Sequence, residues 1–108
     1  MIKVDFKTKG GRIVQGTIKG HAQYADSDDI VCASVSSVAF AILNGIENVI
    51  GVSFGYETDD GYLYFTMPDD LNPPQAERVN DLLETLYLHL KELENQYKEN
   101  IKVSKTEV

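Results

Sequence analysis

Ile2, Val4 and Phe6 alternate with polar neighbours over Ile2–Lys7, the period-two pattern of a strand that buries one face. Gly10-Gly11 marks a turn. Arg12–Lys19 then reads as a second, antiparallel strand, with Gly16 marking a bulge. Gly20–Asp29 is a polar connection without a period. From Val31 to about Asn48 the chain is rich in Ala, Val, Ile and Ser, too long and too apolar all round for a surface strand. That predicts a buried helix, capped by Asp28 or Asp29 and closed by Gly51. Val52–Thr58 and Tyr62–Met67 flank Asp59-Asp60-Gly61 as a hairpin. Pro68–Pro74 is a loop, and Pro73-Pro74 opens a second helix, where proline loses no hydrogen bond. The apolar stripe of that helix is Val79, Leu82, Leu83, Leu86, Leu90, Leu93 and Tyr97. Ile101 and Val103 predict a last strand in the tail. The order ββαββα plus that strand is an α+β domain, two helices packed on a mainly antiparallel sheet.

Composition narrows the class. A chain of 108 residues, 43% of them apolar, suits a single domain over residues 1–108 with one core. It shows no run of about 18 apolar residues, and its start, MIKVDFKTKG, lacks an apolar signal region. The expected setting is therefore cytoplasmic, with no membrane partner. One cysteine permits no intramolecular disulfide and suits a reduced compartment. A net charge of −7 is opposite to a nucleic-acid footprint and favours basic partners. Acidity also serves solubility alone, and from charge alone that is the commoner meaning.

The candidate chemistry rests on few residues. The only thiol and imidazoles are Cys32, His21 and His89. Paired zinc-ligand spacings, a calcium loop, a phosphate-binding glycine motif and a serine nucleophile elbow are all missing, so no metal or cofactor is expected. With Asp29 as N-cap, Cys32 falls in the first helical turn, where unpaired N–H groups favour a thiolate and are placed to hold an oxyanion. His21 ends the preceding strand, where the loop can fold it back as a base. Asp28 and Asp29 oppose a thiolate unless one of them caps the helix or orients His21. Ser36 lies one turn after Cys32 on the same helix face.

Each feature has a plainer meaning. A lone cysteine on an apolar helix is most often an inert core residue. His21 beside a glycine is equally a turn residue. Ser34, Ser36 and Ser37 read as small-residue packing of helix on sheet, and His89, which shares a face with Leu86 and Leu93, as helix packing or an interface. Tyr56, Tyr62 and Tyr64 are strand residues first and a substrate groove second.

Resemblance shifts the balance. Gly20-His21-Ala22, followed after a short loop by Asp29-Ile30-Val31-Cys32-Ala33-Ser34-Val35-Ser36, resembles the signature of the ribosomal-processing cysteine protease family, Prp. That family shows Gly-His-Ala, a glycine-rich loop, then Asp-Ile-Val-Cys-Ala-Ala-Val-Ser. The likeness extends over essentially the whole chain. It implies His21 and Cys32 as catalytic residues, with Asp29 and Ser36 in support. It also implies a homodimer that removes a short N-terminal extension from the large-subunit ribosomal protein number twenty-seven, a basic substrate cut after phenylalanine. Two departures stand out: Ser34 replaces a small apolar residue, and Ala25-Asp26-Ser27-Asp28 replaces glycines in a loop expected to be flexible and to cover the site. The rival readings are a non-catalytic acidic module that binds a ribosomal protein or an assembly intermediate, and a dimerisation protein whose interface is the Leu-rich second helix.

Overall fold

A computed structural model describes all 108 residues. The elements are β1 (Ile2–Lys9), β2 (Arg12–Lys19), α1 (Ile30–Asn44), β3 (Gly55–Asp59), β4 (Tyr62–Thr66), α2 (Pro73–Gln96) and β5 (Ile101–Glu107), with a π-helical turn at Gly45–Ile50 continuing α1. The expected α+β architecture is present. The strands form one sheet in the order β3-β4-β2-β1-β5, antiparallel throughout except for the parallel pair β1–β5. The tail strand is therefore real, and it pairs with the first strand.

Alternation decides the layers. Ile2, Val4, Phe6, Ile18, Leu63, Phe65, Ile101 and Val103 are buried under the helices. The intervening Lys3, Asp5, Lys7 and Thr17 lie on the opposite, more polar face. Helix α1 contributes Val31, Val35, Ala39 and Leu43 to the core. Helix α2 contributes Val79, Leu83, Leu86, Leu90 and Leu93, while Leu82 and Tyr97 only flank it. Those leucines fill the chain's own core, and of the leucines of α2 only Leu88 is exposed.

Several expectations need correction. The bulge is not at Gly16. Lys7 pairs with Gln15 and Thr8 with Ile13, so Val14 is the extra residue of β2. Gly16 serves packing instead: a Cβ there would stand 2.5 Å from the Phe65 ring and 3.1 Å from the Phe6 ring. Strand β3 begins at Gly55 rather than Val52, and Val52 is a buried core residue of the connection. Helix α1 leaves α geometry after Asn44, and Gly51 closes the π turn by donating its N–H to the Ile46 carbonyl at 3.1 Å. His89 is exposed beside Ser34, Ser37, Val38 and Ala41 of α1, not packed into the helix interface. Finally, the helical run Ile30–Ile50 has 21 residues and a mean hydropathy of 1.7, long and apolar enough to cross a membrane where the sequence reading found no such segment. About a third of that window is buried in the fold, and Val31, Val35, Ala39 and Leu43 are the core residues of α1.

Candidate active site

The site forms where the β2–α1 loop, the start of α1 and the β3–β4 turn converge. Asp29 sets the start of α1. Its Oδ1 accepts from the N–H groups of Val31 at 3.0 Å and Cys32 at 3.1 Å. Its Oδ2 accepts from those of Tyr24 at 2.9 Å and Ala25 at 3.3 Å. One carboxylate thus caps the helix and gathers the loop. Desolvation pulls its pKa upward, but the four N–H donors outweigh that and hold it below the usual aspartate range.

Two expectations change as a result. Asp29, with both oxygens committed to backbone, does not orient His21. The first-turn N–H groups of Val31 and Cys32 serve Asp29 rather than an oxyanion. The donor at the thiol is instead Ala22, whose N–H points at Cys32 Sγ from 3.2 Å. Ala22 is itself fixed. Its side chain is buried, and its carbonyl accepts from Asn100 Nδ2 at 2.9 Å. The peptide that follows His21 is therefore held between the helix start and the segment leading into β5.

Cys32 is half-buried and His21 exposed, and both line a cavity of about 240 Å³. Ile2, Ile18, Val35, Ala39, Phe40 and Leu63 supply its apolar wall. Thr58, Asp59, Asp60 and Tyr62 close it from the hairpin, and Ser36 faces it from α1. Ser36 shares the cavity as its helical spacing required, but its hydroxyl makes no hydrogen bond. Of the three hairpin tyrosines, Tyr62 alone lines this cavity; Tyr56 lines a neighbouring depression with Phe40 and Phe54. A second, open groove runs from Cys32 and His21 along the loop past Asp26 and Asp28. No Lys or Arg lines either depression.

The loop that replaces glycines with Ala25-Asp26-Ser27-Asp28 is well tethered. Tyr24 packs edge-on against Tyr97, with ring centroids 5.3 Å apart. Gln23 and Asp28 take positive φ, at 58° and 51°, a strained choice for side chains other than glycine. Sequence reasoning missed three contributors: Asn100, Asp60 and Gly61. Asp60 Oδ2 lies 3.8 Å from His21 Nε2. The only signal for Asp60 and Gly61 was a turn motif, and Asn100 carried none.

A thiol and an imidazole lining one cavity, an N–H aimed at the sulfur and an apolar wall together suit nucleophilic acyl transfer. Comparison with known proteins agrees. The profile of the family described as "Cysteine protease Prp" matches residues 1–102. The ribosomal processing cysteine protease Prp of Bacillus subtilis is 32% identical over 95 residues, covering 85% of each chain. Its Staphylococcus aureus counterpart is 29% identical over 111 residues, covering 96% of this chain and 98% of its own. The S. aureus protease, solved with a covalently linked product peptide, superposes with a TM-score of 0.88 at 28% identity, covering 98% of this chain and 100% of that one. Its substrate-peptide complex superposes with a TM-score of 0.84 at 26% identity, again covering 98% and 100%. A match that runs from β1 into β5 and includes every residue lining the thiol's cavity makes this chain a member of the cysteine protease Prp family.

Proposed function

We propose that Cys32 is the nucleophile and His21 the general base and acid of this cysteine protease. The substrate we assign is the precursor of the large-subunit ribosomal protein number twenty-seven, which loses a short N-terminal extension by cleavage after phenylalanine. The observation that carries the reading is the Ala22 N–H directed at Cys32 Sγ from 3.2 Å, because it joins the histidine segment to the thiol through one rigid peptide. That donor fixes the Cys32 sulfur at the cavity it shares with His21.

The mechanism follows from this placement. The Cys32 thiolate attacks the carbonyl carbon of the residue before the cut, forming a tetrahedral oxyanion. Collapse breaks the C–N bond as His21 protonates the departing amine. His21 then takes a proton from water, whose oxygen displaces Cys32 from the thioester and releases the carboxylate product. The apolar wall of Ile2, Ile18, Val35, Ala39 and Phe40 suits an aromatic side chain at the cut. An extended peptide fits along the free edge of β3, whose five residues are all exposed. Asp26, Asp28, Asp59 and Asp60 at the rims favour a basic substrate. The relatives bear names and peptide complexes of ribosomal processing, which supports the same substrate class here.

We place the enzyme in the cytoplasm, where its single thiol stays reduced, and expect it to work as a homodimer. Support for a second copy comes from Ile30 and Leu88, which are 53% and 63% exposed on the helical layer. Incubating the ribosomal precursor with this protein, and separately with its Cys32→Ala variant, tests the assignment by intact mass. We expect one N-terminal loss ending in phenylalanine, with the native cysteine only. Cleavage by the Cys32→Ala variant would refute the nucleophile, and a cut after a different residue would refute the specificity.

A further inference from the structure

The β3–β4 turn has no part in the dyad chemistry, yet it meets the Gly20-His21 segment in three independent ways. The Gly20 N–H donates to the Gly61 carbonyl at 2.8 Å, tying the turn to the residue before the histidine. The His21 ring lies flat against Gly61: a Cβ built there would stand 2.7 Å from Nε2, 3.1 Å from Cε1 and 3.3 Å from Cδ2. The Asp60 carboxylate faces the same nitrogen, with Oδ2 at 3.8 Å from Nε2. The turn itself is pre-shaped, since the Asp60 N–H bonds Asp59 Oδ1 at 2.8 Å and Gly61 takes a φ of +62°.

We propose that Asp59-Asp60-Gly61 is the positioning element of His21, with Gly61 as the surface the ring rests on and Asp60 as its third-member carboxylate. The proposal rests on His21 being the base. An imidazole has two nitrogens, and a base must offer the right one to the thiol. With Nε2 turned to Asp60, Nδ1 is left to exchange a proton with Cys32 Sγ. Asp60 then supports the imidazolium formed when the thiol ionises.

At the exposures found here, 58% for the His21 side chain and 93% for Asp60, this pair is weak in free solvent. A substrate lying over the cavity excludes water and strengthens it when the chemistry needs it. Steric support from Gly61 acts in both states, because it depends on the missing Cβ rather than on charge. The role that sequence suggested for Asp29 thus falls to a residue of the β3–β4 turn.

Four proteins test this: the native enzyme, His21→Ala, Asp60→Asn and Gly61→Ala, with Asp60→Glu as the conservative control. Each is assayed for kcat and KM on a basic peptide spanning the cut, and for the rate of Cys32 alkylation by iodoacetamide. We expect Gly61→Ala to lower kcat by roughly a hundredfold, because it displaces the ring. Asp60→Asn should lower it about tenfold with KM little changed, and Asp60→Glu should recover part of the loss. Alkylation should slow in the same order, with His21→Ala as the floor. If Gly61→Ala proves unfolded by its melting curve, Asp60→Asn decides alone, since an exposed carboxylate is not needed for folding. Unchanged kcat and alkylation in Asp60→Asn, or an effect on KM only, would overturn the proposal while the dyad stands. If His21→Ala itself reacts and turns over normally, it is the dyad that falls.

Discussion

At the β5 edge of the sheet the outward N–H of Val103 is taken by Glu94 Oε2 at 2.6 Å, and Lys91 holds the other oxygen of that carboxylate at 2.7 Å. Farther along, Glu107 ties the same strand to Gly10 at 3.0 Å and to the Thr8 hydroxyl. At the β3 edge no side chain bonds the backbone of Gly55–Asp59, and all five residues are exposed. An unpaired strand edge is a liability that proteins ordinarily block. Here the outer edge of β5 is covered at Val103 by one carboxylate. The other is kept short and acidic, and its end lines the cavity of Cys32 and His21. Openness at β3 thus goes with the site, whose cavity its end lines, and a carboxylate covers part of one edge while the other edge carries exposed carboxylates.

The contrast can be broken from the structural side first. Ile101 is fully buried in β5, so Ile101→Ala should cost about 2–5 kcal/mol of stability. Chemical denaturation would show it, with turnover per folded molecule unchanged. A comparable loss of turnover in the folded enzyme would mean that the blocked edge also serves the site.

A smaller effect is expected at the edge block itself. The Glu94 carboxyl is held below its ordinary value of 4.5, first by the Lys91 hydrogen bond and then by the Val103 N–H, against the opposing cost of burial. A depressed carboxyl contributes stability above its unfolded pKa and loses it as pH falls through the folded value. Glu94→Ala should therefore lower stability by about 1 kcal/mol near neutral pH. The deficit should shrink below pH 4.5, where the native protein loses the same interaction. A deficit that is constant with pH would exclude the charged contact as its source.

The smallest change belongs to the open edge. Glu57→Lys should raise KM for a basic peptide roughly threefold at low salt and leave kcat intact. Stability should move by less than about 0.5 kcal/mol. Added salt should erase the difference. No KM change at low salt would remove β3 from the substrate path.

Local rules reached far into this molecule. Alternation located β1, turn signals located β2 and β4, and the leucine spacing located α2, whose Asn72 accepts from the Gln75 N–H at 3.0 Å as a cap ahead of two prolines. The Asp29 cap and the Cys32 position in the first turn of α1 were legible because capping is a contact over three residues. That His21 and Cys32 share a cavity was suggested by the loop that can fold back and by the family likeness, since no periodicity connects the two residues. The Val14 bulge escaped because a glycine in a strand signals either a bulge or a close approach, and only the position of the Phe65 ring tells which.

By itself the sequence determined the elements, their order, the buried stripes and the helix start that carries the thiol, because each depends on neighbours within a few residues. Only the tertiary structure decided the strand order, the parallel pairing of β1 with β5, and the company His21 keeps. Asn100 reaches Ala22 across 78 positions, and the hairpin turn brings Asp60 and Gly61 to the imidazole from a strand pair that begins a whole helix later. Such contacts are set by which strands lie side by side in the sheet, and that is fixed by burying both helices against a single face.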